Sequence, residues 1–468
     1  RTTAPDAVGG NIKVASFNVL NYFTAYLDGL GTADGCSLGG TVSRSNCRGA
    51  NNAAEFTRQQ DKIVAALAAI NADVVGLMEI QNNADTAVLN LVAALNARLG
   101  AGTYAATALP ADTGTDAIRV AMVYKPARLV PAAAAVSDNH PVNNRPTLAQ
   151  AFRLPNGESF ALFVNHLKSK GSCPKAGDAD AANNLDTGDG QGCWNAVRLA
   201  QAQRLQAFVA ERLAAAGTSH ALLIGDFNAY AQEDPIAALA SAGFADQVQR
   251  FSSFGYSYVF DGAAGRLDHA IANTALAAKV NRVAHWHINA DEASVLDYNT
   301  EFKAPATTCG GACPTDPFVR DPYRSSDHDP VVVGLNLYNK VWGGTPGADM
   351  VTAGAGDDLI WASTGADVLT GGAGSNGFAW KSLRETGSSI TDFVPGKDRI
   401  DLSALLASIN QGSATAIGRG VVKLVAAGAD TLLQIDTDGT GPVLPRTLVT
   451  LRGVAPTAIQ PARDLGLN

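Results

Sequence analysis

Apolar residues along this chain recur in short runs, and several of those runs end on polar groups. Residues 12–19 (IKVASFNV) alternate well enough to predict a first strand, with Asn18 near its C-terminal end. Apolar positions at 56, 63, 64, 67 and 70 then follow a helical period and predict a helix over 55–70. Asn71-Ala72-Asp73 breaks it, and residues 74–78 read as a strand ending on Glu79. An Ala/Leu-rich helix over about 84–99 is closed by Gly100. Residues 120–124 form a strand stopped by Pro126. Residues 149–154 and 160–164 pair around the turn Pro155-Asn156-Gly157, and the second strand runs into Asn165-His166. A helix over about 194–215 precedes the strand 221–224, which delivers Gly225-Asp226-Phe227-Asn228. Asp268-His269 lies beside the run 270–272, and Ser325-Ser326-Asp327-His328-Asp329-Pro330 feeds the β-branched strand 331–333. Many strands follow each other without a helix between them. That favours an α/β sandwich of two mixed sheets with helices outside over a doubly wound parallel sheet.

The polar groups share one address. Asn18, Glu79, His166, Asp226 with Asn228, Asp268 and Asp327-His328 each lie at or just beyond a strand end. Singly, each has a plain structural use as a cap, a turn or a solvated exit. Together they predict one site assembled from strand ends. The mixture suits one chemistry. Glu79 and Asp327 with amide oxygens make a hard oxygen site for Mg²⁺, which keeps waters and binds substrate phosphate. A His/Asp couple supplies acid-base function or positive charge, and an Asp outside the metal site can orient or deprotonate water. His140, His220, His285 and His287 have no motif around them and are read as surface or core residues.

Composition narrows the function without choosing it. The chain has 468 residues, 46% of them hydrophobic, and a formal net charge of -8. That charge argues against a broad basic face holding nucleic acid by phosphate neutralisation. It leaves open an enzyme that meets phosphate through a bound cation. No apolar run approaches membrane-spanning length. The cysteines form local pairs, Cys36/Cys47, Cys173/Cys193 and Cys309/Cys313, and predict three disulfides in an oxidising compartment. The N-terminus, Arg1-Thr2-Thr3-Ala4-Pro5, lacks an apolar signal core, so a signal was removed or export is directed from elsewhere.

Ser16-Phe17-Asn18, Leu77-Met78-Glu79, Asn165-His166, Gly225-Asp226-Phe227-Asn228, Arg266-Leu267-Asp268 and Ser326-Asp327-His328-Asp329-Pro330 together resemble the endonuclease/exonuclease/phosphatase superfamily. They occur in that family's order, and the segments 47–56 and 75–80 look more narrowly like its bacterial extracellular nucleases. The resemblance implies a four-layer α/β/β/α sandwich. It implies that Glu79 and Asp327 bind a divalent cation, with Asn18 linking the metal shell to the central Asp. Asp226 would position or activate water for in-line attack, and Asn228 would hold a phosphate oxygen. His328, oriented by Asp268, would face the phosphate, and His166 would stand where the deoxyribonuclease branch has a second histidine. Arg145 would contact phosphate, and Asn165 is grouped with the substrate-binding residues. Three departures stand out. Leu20 and Gln81 replace a metal-binding Asp and a DNA-touching arginine of relatives. No acid holds the usual place beside His166, and Asp116 is taken as its substitute.

After Leu337 the pattern changes. Residues 344–352, 353–361, 362–370 and 371–379 are nonapeptides in register. The fourth place is Gly347, Gly356, Gly365 and Gly374; the sixth is Asp349, Asp358, Asp367 and Asn376; the eighth is Val351, Ile360, Leu369 and Phe378. This resembles the repeat of calcium-binding parallel β-rolls, and implies Ca²⁺ at Asp349, Asp358 and Asp367. Residues 390–403 (ITDFVPGKDRIDLS) resemble the C-terminal targeting domain of proteins exported by bacterial type I secretion.

The expected protein is therefore bacterial, secreted and monomeric. It has a catalytic domain over 1–340 and a β-roll and secretion domain over 341–468. It would cleave phosphodiester bonds of DNA, with RNA left open, using Mg²⁺ or Mn²⁺, and would meet the type I secretion machinery without inserting in a membrane. A phospholipid headgroup or other phosphoester is the second substrate reading. A catalytically inactive, calcium-dependent adhesive protein is the third.

Overall fold

The computed structural model describes residues 1–25, 37–38, 41–42, 48–252, 255–300 and 316–467. In chain order its main strands and helices are β1 (Ile12–Tyr22), α1 (Ala53–Ile70), β2 (Val74–Gln81), α2 (Thr86–Leu99), β3 (Ile118–Tyr124), β4 (Leu148–Arg153), β5 (Ser159–His166), α3 (Asn195–Ala216), β6 (Ala221–Asp226), α4 (Asp234–Ser241), β7 (Asp268–Asn273), β8 (Val280–His285) and β9 (Val331–Leu335).

One sheet runs β8-β9-β1-β2-β3 and ends on the short strand Ala105–Ala106. The other runs from Phe244–Asp246 through β7-β6-β5-β4 to Val130–Pro131. Each is built on a central parallel pair, β1 with β2 and β5 with β6. Antiparallel strands flank each pair: β9 and β3 in the first sheet, β7 and β4 in the second. The pairs bury both faces, which explains their near-continuous apolar runs. Val14, Met78, Leu162, Val164, Leu222 and Ile224 meet between the sheets. Phe17 and Leu77 pack outward under Ile63 and Leu67 of α1 and Leu91 of α2. Phe163 and Leu223 pack under Leu205 and Phe208 of α3. These layers are the α/β/β/α sandwich. Fully burying each such side chain contributes about 1.5–3 kcal/mol.

Local chemistry sets the boundaries. Asn52 caps α1 by accepting the Glu55 N–H, and Asn71 closes it in the left-handed region at φ 50°. β8 has no counterpart in the pattern-based expectation. Only Val280 and Val283 of its side chains are buried, so its alternation is too thin to register. Of the expected disulfides, Cys173–Cys193 is formed, with Cα atoms 5.4 Å apart. Cys36/Cys47 and Cys309/Cys313 lie outside the described residues.

From residue 340 the chain coils. Lys340–Gly343, Asp358–Trp361, Gly377–Ala379 and Arg399–Asp401 stack in parallel as one sheet. Met350–Thr352, Val368–Thr370 and Ser388–Ile390 begin the other, which continues through Arg446–Leu451, Asp430–Ile435 and Val422–Ala427. Ile360, Leu369 and Phe378, all eighth-place residues, are buried between them. Gly374 needs its glycine: φ is +98°, and a Cβ would fall 2.0 Å from the Gly356 carbonyl oxygen. This is a parallel β-roll capped by antiparallel strands.

Candidate active site

Strand pairing puts three of the expected groups on one rung. His166 is opposite Asp226 between β5 and β6, and Asp226 is opposite Asp268 between β6 and β7. The close approach at that rung requires Gly225, whose φ is +132° and whose Cβ would lie 2.0 Å from the Asn165 carbonyl oxygen. The first sheet supplies the facing groups. Asn18 of β1 is opposite Met78 of β2, and the next residue, Glu79, has φ +64°. The β2–β3 ladder shifts between Leu77 and Ile80 at this point. That bulge keeps Ile80 on the helix-facing side with Leu77 and turns the Glu79 carboxylate toward Asn18. The Ser326 hydroxyl donates to the Asn18 carbonyl at 2.6 Å, tying the loop before β9 to the end of β1.

The groups converge on Asp226. Its Oδ2 lies 3.5 Å from His166 Nε2 and 3.9 Å from His328 Nε2, and its Oδ1 accepts the Asn228 N–H at 2.8 Å. His328 Nδ1 is 2.6 Å from Asp268 Oδ2. Burial works against a charge on His328, but Asp268, then Asp226 and Asp327, hold its pKa well above the usual imidazole value. Burial, then Arg145, pushes His166 well below it. Burial raises Asp226, with Asp268 adding to the rise and His328 opposing it. One imidazole is thus kept cationic and the other neutral on either side of a single carboxyl group.

Several expected placements are corrected. Asn165 does not face the site: its Oδ1 accepts from Thr147, and its Nδ2 donates to the Phe163 and Ile224 carbonyls. Its side chain is fully buried, so its amide is consumed in holding the sheet. Asp116 is not the partner of His166. It pairs with Arg145 at 3.2 Å and Arg48 at 3.4 Å, and His166 Nδ1 is buried without a hydrogen bond. Arg145 donates to the carbonyls of His166 and Leu167, bracing the end of β5 from behind. Asn18 bonds Glu79 at 3.2 Å, and its Oδ1 accepts the Leu20 N–H, so it orients Glu79 instead of linking to Asp226. Asn228 gives one amide hydrogen to the Leu167 carbonyl at 3.1 Å. Gln81, in place of an arginine, accepts the N–H groups of Thr24 and Ala25.

Other residues that shape the site carry no sequence signal. Ser257 Oγ accepts the N–H groups of Leu267 and Asp268. The Tyr258 ring lies 4.6 Å from that of His328. Asn289 Oδ1 accepts the Ser325 and Ser326 N–H groups, and its Nδ2 donates to the His328 carbonyl. Asp329 accepts three backbone N–H groups, from Ile288, Asn289 and Ala290, and pairs with His287 at 2.8 Å. It fixes the turn, and His287 is part of that support. All of these partners are distant in sequence, which is why local pattern does not reveal them.

Glu79 is suited to a hard cation. It is half-buried, and burial, then Asp327, raises its pKa. Two neighbouring carboxylates that repel each other fit Mg²⁺ or Mn²⁺. Among the described residues no group of three His, Cys, Asp or Glu side chains is placed to hold a metal. That holds also in the roll, where Asp349, Asp358 and Asp367 were expected to bind Ca²⁺. Asp367 there accepts the Asp349 N–H at 3.0 Å and the Ser363 N–H at 3.1 Å. Asp349 accepts from Thr345. Asp358 is buried with Trp342 as its side-chain neighbour and no backbone N–H on its carboxylate, and burial raises its pKa.

Two family models match the sequence. The sequence model of the Endonuclease/Exonuclease/phosphatase family matches residues 15–328. The RTX calcium-binding nonapeptide repeat matches residues 343–377. No match was found among curated protein sequences. Similar solved structures include a Bacteroides thetaiotaomicron endonuclease/exonuclease/phosphatase family protein, 16% identical, with TM-score 0.41, covering 69% of this chain and 96% of that one. The human Nocturnin catalytic domain is 16% identical, with TM-score 0.42, covering 70% and 96%. D. rerio TDP2 complexed with single-strand DNA product is 14% identical, with TM-score 0.40, covering 69% and 97%.

Proposed function

This chain belongs to the endonuclease/exonuclease/phosphatase family, and from that premise we propose that it is a secreted, divalent-metal-dependent nuclease hydrolysing phosphodiester bonds of DNA. The observation that carries the reading is the convergence of His166 and His328 on Asp226, with Asp268 behind His328. Glu79 and Asp327 would hold the cation, and Asn18 steadies Glu79. When bound, the cation neutralises charge on the phosphate. Asp226 orients the attacking water and takes its proton, which its raised pKa favours. His328, kept positive by Asp268, faces the phosphate and stabilises or protonates the departing oxygen. Neutral His166 donates or accepts one hydrogen bond at the same phosphate. Asn228 offers its remaining amide hydrogen to a phosphate oxygen.

Residues 1–340 form the catalytic domain in this reading, and 341–468 the export and folding domain. The RTX repeat match supports secretion, and the segment 390–403 supports a type I route. Among the described residues no helix is long and apolar enough to cross a membrane. The purified chain, mixed with supercoiled plasmid, RNA and sphingomyelin in Mg²⁺ or in chelator, should cut plasmid only with metal. Intact plasmid with hydrolysed sphingomyelin would move the enzyme to the phospholipid reading, and inertness toward all three would leave the adhesive one.

A further inference from the structure

The sandwich meets the roll at the end of β1 and β2 remote from the candidate active site. Lys13 is the second residue of β1 and Asp73 precedes β2, whereas Asn18 and Glu79 lie toward the other ends. Five residues of extended chain, from 13 to 18, span roughly 17 Å. Direct bonds already join the two parts nearby: the Gly10 N–H and Asn281 Nδ2 both donate to Asp401 Oδ2, at 3.1 and 3.0 Å. Beside them opens a cavity of about 490 Å³.

Its wall is rich in cations: Lys13, Lys125 and Arg128 from the sandwich, and Lys397, Arg399 and Arg463 from the roll. Four acids share the wall, and most of their oxygens are occupied: Asp357 accepts the Ser375 N–H through Oδ1. Asp73 accepts the Lys13 N–H and Arg128 Nε, and Asp398 accepts the Asn376 and Val394 N–H groups. Asp464 accepts the Gly396 and Gln460 N–H groups and pairs with Arg463. Arg128 and Lys125 are matched by Asp73 and Arg463 by Asp464, whereas Lys13 and Arg399 have no carboxylate bonded to them among the described residues. Arg399 Nε is buried without a hydrogen bond. Lys13 Nζ reaches only the Ile70 carbonyl, at 3.1 Å, among the bonds of the described residues. Burial, then the charge of Arg399, pushes the Lys13 ammonium down to about 8, so the two cations repel across the junction. A buried N–H left without an acceptor beside a second cation is costly unless an anion joins them.

We propose that this cleft binds a free oxyanion of the phosphate class, inorganic phosphate or a short polyphosphate, which bridges Lys13 and Arg399 and fastens the roll to the sandwich. The planar guanidinium suits bidentate contact with phosphate oxygens, and the ammonium adds a point charge. The proposal does not depend on the nuclease reading.

Sodium tripolyphosphate, titrated calorimetrically into the full chain in metal-free buffer, tests it, with thermal unfolding in parallel and sodium chloride matched for ionic strength. Saturable binding and a raised Tm are expected in the wild type and in His328→Gln, which removes the cation of the candidate active site. Lys13→Met and Arg399→Gln should each weaken binding by about tenfold or more, while Arg399→Lys keeps most of it. Without ligand, Arg399→Gln should unfold no lower than the wild type, because a repulsion is relieved. Absence of saturable binding, binding untouched by both cleft variants, or binding lost in His328→Gln would each overturn the proposal. Displacement of tripolyphosphate from His328→Gln by a short single-stranded oligonucleotide would assign the cleft to nucleic-acid backbone phosphate and overturn the free-anion reading.

Discussion

Carboxylates sit in both halves of this molecule, and their surroundings differ. In the roll, sixth-place side chains accept backbone N–H groups from the coil before. Asp367 takes that of Asp349, and Asn376 takes that of Asp358. The amide oxygen of Asn376 does what the carboxylate of Asp367 does, so charge is not what this contact uses. In the sandwich, Asp226 and Glu79 also accept backbone N–H groups, from Asn228 and Asn21, but they stand near the further acids Asp268 and Asp327, and burial raises both. The charge of those neighbours leaves their demand for a proton or a cation open. A buried acid satisfied by the backbone holds a fold together, while one left facing other acids is available for chemistry. Asp358 crosses this division, because it lies in the roll but its carboxylate accepts no backbone N–H among the described residues.

The largest effect that tests the contrast is on activity. His328→Gln should lower kcat by about 10³-fold, and Asp268→Asn by about 10²-fold, within the range of general acid-base groups. Steady-state rates checked against an unchanged circular dichroism spectrum measure this; a loss under tenfold in both would remove them from the site. Asp116→Asn, by contrast, should act only through Arg145. Next comes the core of the roll. Phe378 is fully buried beneath Phe393, and Phe378→Ala should destabilise the roll by about 3–5 kcal/mol. Denaturant unfolding should show the loss while the sandwich keeps its activity in native buffer.

A smaller effect follows from pH. His285 of β8 is half-buried with its Nε2 shut off from solvent, and burial, then His287, lowers its pKa to about 3. Between that value and the usual 6.5 the unfolded chain binds the extra proton, so the contribution is fully present above 6.5 and is lost as pH falls. From pH 7 to 5 the wild type should lose about 2 kcal/mol through this group. His285→Phe should flatten that slope in urea titrations at the two pH values; an unchanged slope would put the titrating group elsewhere. Smallest are the ladder substitutions. Asp367→Asn should keep its contact, as Asn376 does, and Asp367→Ala should cost about 1 kcal/mol. Asp358→Asn should leave the calcium-free roll at least as stable as the wild type, with only the wild type gaining Tm on adding Ca²⁺. A Tm gain equal in both would move the Ca²⁺ away from Asp358.

Much of this architecture is legible along the chain. Apolar runs locate most of the core strands, and the nonapeptide register gives the roll, because side-chain periodicity is a local property. The site is legible as a set of strand ends, with His166, Asp226, Asp268 and His328 gathered as expected. What local pattern omits is pairing. It does not show that His166, Asp226 and Asp268 share one rung, nor that a bulge turns Glu79 out of alternation. Asn165 misleads because it lies beside His166 in sequence while its bonds go to Thr147, Phe163 and Ile224, and Asp116 misleads because its partners, Arg145 and Arg48, are distant in sequence. The sparse β8 and the supports Ser257 and Asn289 act through contacts far apart in sequence.

The central claim is that Asp226 is the chemical centre of the sandwich. It is tested most directly by the metal-dependent rate of phosphodiester cleavage in Asp226→Asn, a substitution that keeps the size and the hydrogen bond to the Asn228 N–H. The account predicts a loss of about 10³-fold or more with Tm held or raised, since a buried, crowded carboxyl group has been removed. A rate within tenfold of the wild type would contradict it.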